Sequence, residues 1–364
     1  MDFGLSSEQT LLSDTVGRWT ESECKSTRIR QIVESSDGHD RDLWASLGKI
    51  GVPGLLIPEV HGGAGLEVLD LALVAEQFGR GCVPGPFLGH AMATSALIAA
   101  DHSQACARWL PPAATGEKIL AFALGEEIGT WEPAQVGTSF HEGGLHGLKP
   151  LVAGAEIADA LIVVARDSEG PGLWLVERDA PGLTTTPLSG SDGTRRVASL
   201  RFDGTPAQKI ASGTSAAERA RDLGLVLLAA DAFGGAWRCL EMTRDYALTR
   251  EQFGQTIAHF QGVKHQLADL TTSLAPACSL WWYAAHALDQ IPEQAPRHAA
   301  LAKSHLTEIF DDTVRTSIEL HGGIGFTFEY DLQLWFRRAL FDRAYLGEAR
   351  YHRERAATLA GWPA

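Results

Sequence analysis

The stretch Leu223–Cys239 is apolar and rich in small residues on every side. A helix built from it has no face to offer to water, so neighbouring helices must enclose it. Two more apolar helical patterns follow: Val263–Leu288, which carries Trp281 and Trp282, and Leu301–Leu320 after Pro296. Three such helices in one part of a chain predict a bundle. Their surplus of apolar surface predicts that the bundle also meets another subunit.

Ahead of that bundle the chain changes character twice. Residues 1–118 read as helical. Ser6 and Gln9 supply a capping box ahead of Leu11, Leu12 and Val16. A helix over Arg41–Ile50 stops at Gly51 and Pro53, and another covers Val68–Phe78. The loop between them, Leu55–Gly65, holds Glu59 and His61 beside glycines, which marks turn chemistry rather than a metal site. From 119 to 214, short runs at Ile119–Leu124, Ala160–Ala165, Leu173–Val176 and Val197–Phe202 alternate with turn residues and predict a small β-barrel or sandwich. Residues 215–364 return to helix. No internal repeat, low-complexity segment or long linker interrupts this order.

The 364 residues carry a net charge of −14, which argues against nucleic acid or an anionic membrane as partner. An anionic ligand would therefore need local cations. The five cysteines (24, 82, 106, 239 and 278) have neither metal-ligand nor disulfide-framework spacing, as expected for a reducing cytoplasm. No stretch reads as a membrane span, and Asp2-Phe3-Gly4 opens without a basic-then-apolar leader.

Two stretches carry candidate chemistry. In Thr249–Gln261, Arg250 offers a planar fork of N–H donors suited to phosphate, and Gly254 permits a sharp turn or close approach. Phe253, Ile257 and Phe260 recur at helical spacing and predict one helical face. The second stretch, Glu319-Leu-His-Gly-Gly-Ile-Gly-Phe-Thr327, ends the last apolar helix. Histidines 259 and 265 read as surface or interface residues, and His321 as packed within the glycine turn. Trp281, Trp282 and Tyr283 read as bundle core or subunit contact, and Asp159 as the start of a strand.

A helical, β, helical order with Pro58-Glu-Val-His-Gly-Gly63, Arg250-Glu-Gln-Phe-Gly254, Phe260-Gln261 and His321-Gly-Gly-Ile-Gly-Phe-Thr327 resembles the acyl-CoA dehydrogenase family over essentially the whole chain. The resemblance implies an α+β fold with an N-terminal helical domain (1–118), a middle β-barrel domain (119–214) and a C-terminal four-helix bundle (215–364). It also implies an oligomeric flavin enzyme that oxidises Cα–Cβ of an acyl-CoA thioester, with FAD shared across a subunit interface and an electron-transferring flavoprotein as acceptor. The half of the FAD site that one subunit lends its neighbour would fall to Arg250, Gln252, Phe253, Ile257, Phe260, Gln261, Glu319, Leu320, Gly322 and Gly323. Glu319 departs from the family's usual glutamine and adds a negative charge.

The base that takes the Cα proton usually follows the tyrosine of a Tyr-Glu-Gly-Thr loop. That loop here reads Tyr345-Leu346-Gly347-Glu348, which places Leu346 at the base position. The family's alternative, a Glu-Arg pair on the first bundle helix, becomes Gly224-Leu225. The flavin-holding β segments have drifted too. The usual Thr-Glu-Pro reads Gly125-Glu126-Glu127, and Lys-Thr-Trp-Ile-Thr-Asn-Gly reads Lys149-Pro-Leu-Val-Ala-Gly-Ala155. A stacking tryptophan thus becomes Leu151, and a hydroxyl donor becomes Ala153. The leading expectation is the accessory subunit of a heteromeric α2β2 dehydrogenase, resembling actinobacterial enzymes of steroid side-chain degradation, with the partner chain supplying the base. Two alternatives stay open: a self-sufficient homo-oligomer with its base relocated to Glu348, and a non-catalytic member that binds flavin or CoA.

Overall fold

A computed structural model describes residues 4–36, 38–126 and 131–362. Asp2, Phe3 and Glu127 lie outside the described residues.

Six helices come first: α1 (Ser7–Glu23), α2 (Ser26–Glu34), α3 (Arg41–Lys49), α4 (Val68–Arg80), α5 (Phe87–Ala100) and α6 (Ser103–Ala114). The capping box forms as expected, with Ser6 and Gln9 exchanging side-chain and backbone bonds. Eight strands follow: β1 (Leu120–Ala123), β2 (Ser139–His141), β3 (Gly144–Ala153), β4 (Ala160–Asp167), β5 (Gly170–Glu177), β6 (Leu183–Leu188), β7 (Val197–Thr205) and β8 (Gln208–Ser212). Their order in one sheet is β6-β7-β3-β2-β4-β5-β8, and β1 pairs in parallel with β4. Asp159 sits at the start of β4, where its carboxylate accepts from Lys118 Nζ and the Ile119 N–H.

The long apolar pattern becomes α7 (Ser215–Thr249), enclosed by α4, α5 and α10 (Ala295–His321). Its small residues have a packing reason. A Cβ at Gly79 of α4 would collide with the Asp231 carbonyl, and one at Gly234 with the Glu76 carbonyl, so α4 and α7 cross backbone against backbone. Length and composition alone would let α7 span a membrane, which corrects the expectation that no stretch is long and apolar enough. Its most apolar window is 89% buried inside this chain, and it serves as the core helix.

Beyond α7 lies a two-stranded hairpin, β9 (Glu251–Gln252) and β10 (Gln255–Thr256). Then come α8 (Gln261–Leu274), α9 (Cys278–Gln290), α10, α11 (Leu332–Ala344) and α12 (Ala349–Leu359). Val263–Leu288 is therefore two helices, separated by a 3-10 turn at Ala275–Ala277. Trp281 is fully buried and Tyr283 is exposed. All five cysteines are free.

One buried ion network ties the three regions together. Arg338 of α11 donates to Asp192 and Thr194 after β6, to Asp231 of α7 and to the Val83 carbonyl after α4. Arg195 adds a second bridge to Asp231.

Candidate functional site

The candidate residues fall into two places with opposite character. The first is an open surface at the ends of α7 and α10. Arg250 closes α7, and its carbonyl accepts from the Ile257 N–H at 2.8 Å. No helical face forms over Phe253, Ile257 and Phe260, contrary to expectation. Phe253 and Gly254 both take positive φ, +55° and +78°, and make the two-residue turn between β9 and β10. This turn throws Phe253 outward, 93% exposed, with its ring edge-on to Phe260 at 6.1 Å.

The glycine stretch begins where α10 stops. Gly322 has φ +66°, and a Cβ at Gly322 or Gly323 would meet nothing within 4 Å. The first two residues of the 3-10 turn Gly322–Phe326 therefore leave room for an incoming group, while Gly325 is buried against Ile318. Beneath it His321 is buried, stacked on Tyr246 at 4.3 Å and bonded through Nδ1 to the Ser317 carbonyl. Burial pushes its pKa down, so it stays neutral and acts as packing, as the sequence suggested. Arg250, Gln252, Gln261, Glu319, Gly322 and Gly323 are all exposed, and Ile257, Phe260 and Leu320 are half-buried. With Phe326 72% exposed as well, this chain leaves an unusually apolar and glycine-bared surface uncovered.

The second place is closed. Gly224 on α7 and Leu346 after α11 are distant in sequence, but their side-chain positions converge. A Cβ at Gly224 would lie 2.7 Å from Leu346 Cδ1 and 2.7 Å from Met92 Sδ. Leu346 thus occupies the volume that Gly224 leaves free, and it is only 1% exposed. The same substitution pattern recurs nearby. A Cβ at Gly125 would come within 2.5 Å of the Trp131 ring. At Ala153, the backbone N–H donates at 3.3 Å to the Tyr345 hydroxyl, and Tyr345 stacks on Phe341 at 5.0 Å. At Gly224 and Gly125 the room a side chain would need is taken by Leu346 and Met92 and by the Trp131 ring.

Glu348 behaves differently from Leu346. It is exposed at the N-cap of α12. The arginines flanking it are engaged elsewhere, Arg343 with Asp311 and Arg350 with Glu354.

Sequence reasoning missed what holds the 345–348 loop. Leu346 and Gly347 have φ of +62° and +108°. A leucine in that region is strained and needs support. Buried Lys303 of α10 donates to the Arg343 and Gly347 carbonyls at 3.2 and 3.1 Å. His352 of α12 holds the Leu346 carbonyl at 2.9 Å. Burial lowers both pKa values, Lys303 to about 7 and His352 to about 3, so His352 is neutral and bonds Leu346 as the Nε2–H tautomer. A lysine in the middle of an amphipathic helix reads as a solvated charge, so no sequence signal marked it.

A three-part helical, sheet, helical chain with its long central helix packed in a bundle is the architecture of the acyl-CoA dehydrogenases. Residues 6–117 match the acyl-CoA dehydrogenase N-terminal domain and residues 211–359 the C-terminal domain. The acyl-CoA dehydrogenase IpdE2 of Mycobacterium tuberculosis is 33% identical over 333 residues, 91% of each chain. FadE27 of the same organism, also an acyl-CoA dehydrogenase, is 29% identical over 99% of this chain and 100% of its own. Among solved structures, a variant of the Tcur3481–Tcur3483 steroid ACAD superposes with TM-score 0.89 at 30% identity, covering 97% of this chain and 98% of that one. The ChsE4–ChsE5 complex from Mycobacterium tuberculosis superposes with TM-score 0.88 at 27% identity over the full length of both chains. The chain belongs to the acyl-CoA dehydrogenase family, a family of FAD-dependent oxidoreductases of acyl-CoA thioesters.

Proposed function

We propose that this chain is the accessory subunit of a heteromeric acyl-CoA dehydrogenase, which completes a flavin site for a partner subunit that carries the base. The carrying observation is the convergence of Gly224 and Leu346: both base positions face each other in one apolar, filled pocket. A single lost carboxylate could be compensated nearby. Two losses at one point, sealed by Met92 and capped by Tyr345, support a pocket given over to packing.

The exposed half fits the charged end of FAD. Arg250 has no ion pair among the described residues and is free to neutralise a diphosphate. Open space at Gly322 and Gly323, where an added Cβ would meet nothing within 4 Å, admits close approach of a ligand to the backbone. Gln252 and Gln261 supply polar contacts, while Phe253, Ile257, Phe260 and Leu320 supply apolar walls, with Glu319 the one residue of the wrong sign. The segment around Ala153 does not fit the ring end, because the Ala153 N–H already serves Tyr345. FAD, when bound, accepts the hydride that leaves Cβ of the thioester. This chain's share is to hold and orient it. The steroid ACAD and ChsE4–ChsE5 assemblies support a dehydrogenase-like partner and a steroid-type acyl-CoA as substrate. We assign the complex to the cytoplasm and its electrons to an electron-transferring flavoprotein.

The test is the flavin absorbance and native mass of the chain, purified alone and after co-expression with a family member that carries the base. The expected result is a colourless chain alone and a yellow mixed tetramer. Within that tetramer Arg250→Ala weakens flavin binding by about 10- to 100-fold, the value of a charge-assisted contact. A yellow homotetramer with acyl-CoA turnover would overturn the reading and direct the search for a base to Glu348.

A further inference from the structure

A cleft of about 540 Å³ lies between α7, α12 and the segment Trp131–Gln135. Its walls hold two arginines that are almost fully buried, Arg221 with a side chain 3% exposed and Arg355 with one 10% exposed. Both point at one carboxylate. Glu132 accepts from Arg221 at 2.5 Å and from the Tyr351 hydroxyl at 2.6 Å, with Arg355 Nε 3.5 Å away. Asp222 also contacts both arginines, each at 3.0 Å. The two guanidinium groups are therefore in direct contact with two carboxylates, and withdrawing Glu132 leaves Asp222 alone paired with both in a largely buried site.

Glu132 does not come from the helices that form this receptor. It belongs to a short segment continued by a 3-10 turn, Pro133–Gln135. The residue before it, Trp131, is buried with its ring against Gly125 and 5.5 Å from the Tyr345 ring. Behind Tyr345 lie Leu346 and Gly224. Along α7, Arg221 is three residues before Gly224, one turn nearer the opening. Trp131 thus joins the cleft, which it lines, to the Tyr345 ring, whose chain neighbour Leu346 packs against Gly224.

We propose that Arg221, Arg355 and Tyr351 form a carboxylate-binding site that the chain fills with its own Glu132, so that Trp131–Gln135 is a strap latched across the mouth of the pocket behind it. A buried arginine pair with a tyrosine donor is built for a planar monoanion. The other acids lining the cleft, Glu218 and Glu354, oppose a multiply charged phosphate. Glu354 is in turn paired with Arg350. The site selects a carboxylate, and a free carboxylate that competes with Glu132 releases the strap and exposes Trp131. This holds whether or not a partner subunit supplies a base, so the two readings fail separately.

Chemical rescue tests it. Glu132→Ala is expected to melt below the wild type, and sodium acetate is expected to restore the melting temperature saturably. Sodium chloride at equal ionic strength should not. In Glu132→Ala combined with Arg221→Met, acetate should act no differently from chloride. Acetate and chloride acting alike on Glu132→Ala, or that variant melting like wild type, would overturn the proposal. Should Glu132→Ala fail to fold, the isosteric Glu132→Gln keeps the strap's packing. Hydrogen exchange in that variant should then quicken at 131–135 and 345–348 together, and unchanged exchange at both would overturn the latch.

Discussion

On the proposed reading Leu346 takes the place of a catalytic carboxylate, and its surroundings decide what a carboxylate there would do. The site is buried and apolar, lined by Met92 and the bare Gly224, and Lys303 already donates to the loop carbonyl of Gly347. Leu346→Glu therefore buries a charge without a partner. The expected cost is about 3–5 kcal/mol, or a carboxyl group driven to its neutral form. Melting of the purified variant reads the first outcome, and a carboxyl pKa well above about 4.3 reads the second. Neither gives a working base, so the lone chain should show no acyl-CoA turnover. Glu319 is the converse case, exposed and one turn from Gly322 at the negative end of the α10 dipole. Glu319→Gln removes a charge that repels both a diphosphate and the helix end. Flavin binding by the complex should tighten by about 2- to 5-fold, the range of an exposed charge contact. Its salt dependence should shift as well, and an unchanged flavin titration would remove Glu319 from the site.

At the scale of elements, the loop carrying Leu346 depends on α10 and α12 through Lys303 and His352. Lys303 titrates near 7 in the folded chain and at about 10.4 unfolded. Between those values the unfolded state binds the extra proton, so this group makes stability rise with pH from about 7 towards 10. Lys303→Met removes that contribution. The difference between wild-type and variant unfolding free energies should slope across this window and flatten below it, since both states are then protonated. A difference independent of pH would show that Lys303 is not the buried amine described here. None of this was legible in the sequence. The apolar helices were, because Leu223–Cys239 leaves a helix no alternative to burial, and so was the cap at Ser6. Strands β2, β3, β6 and β8 were not, since Gly144–Ala153 and Leu183–Leu188 lack the unbroken apolar runs that mark β4 and β5. Phe253, Ile257 and Phe260 misled for a physical reason: helical spacing carried no information once Phe253-Gly254 made a two-residue turn. That Gly224 and Leu346 stand at the two base positions was expected only through resemblance, and their convergence was not foreseen. That their space is filled by Met92 could come only from tertiary packing.

For the whole molecule, the question is why a chain with so thoroughly packed a core leaves Phe253 and Phe326 in water. An exposed phenylalanine at φ +55° is doubly unfavourable, through its apolar area and through its backbone, and a lone folded chain gains little from it beyond the contact with Phe260. The cost is explained if the hairpin serves assembly, and that separates two measurements which usually move together. Phe253→Asn suits the left-handed turn, relieving strain while losing one ring contact. Unfolding of the isolated chain should stay within about 0.5 kcal/mol of wild type, as for an ordinary surface change. Association with the partner should weaken by about 30-fold, the loss of roughly 2 kcal/mol of buried phenylalanine surface. Flavin retained by the mixed oligomer should fall with it. If instead the isolated chain lost stability and the complex formed normally, the hairpin would be a part of this chain's own fold. The bare glycines at 322 and 323 would then need a different explanation from a flavin shared between subunits.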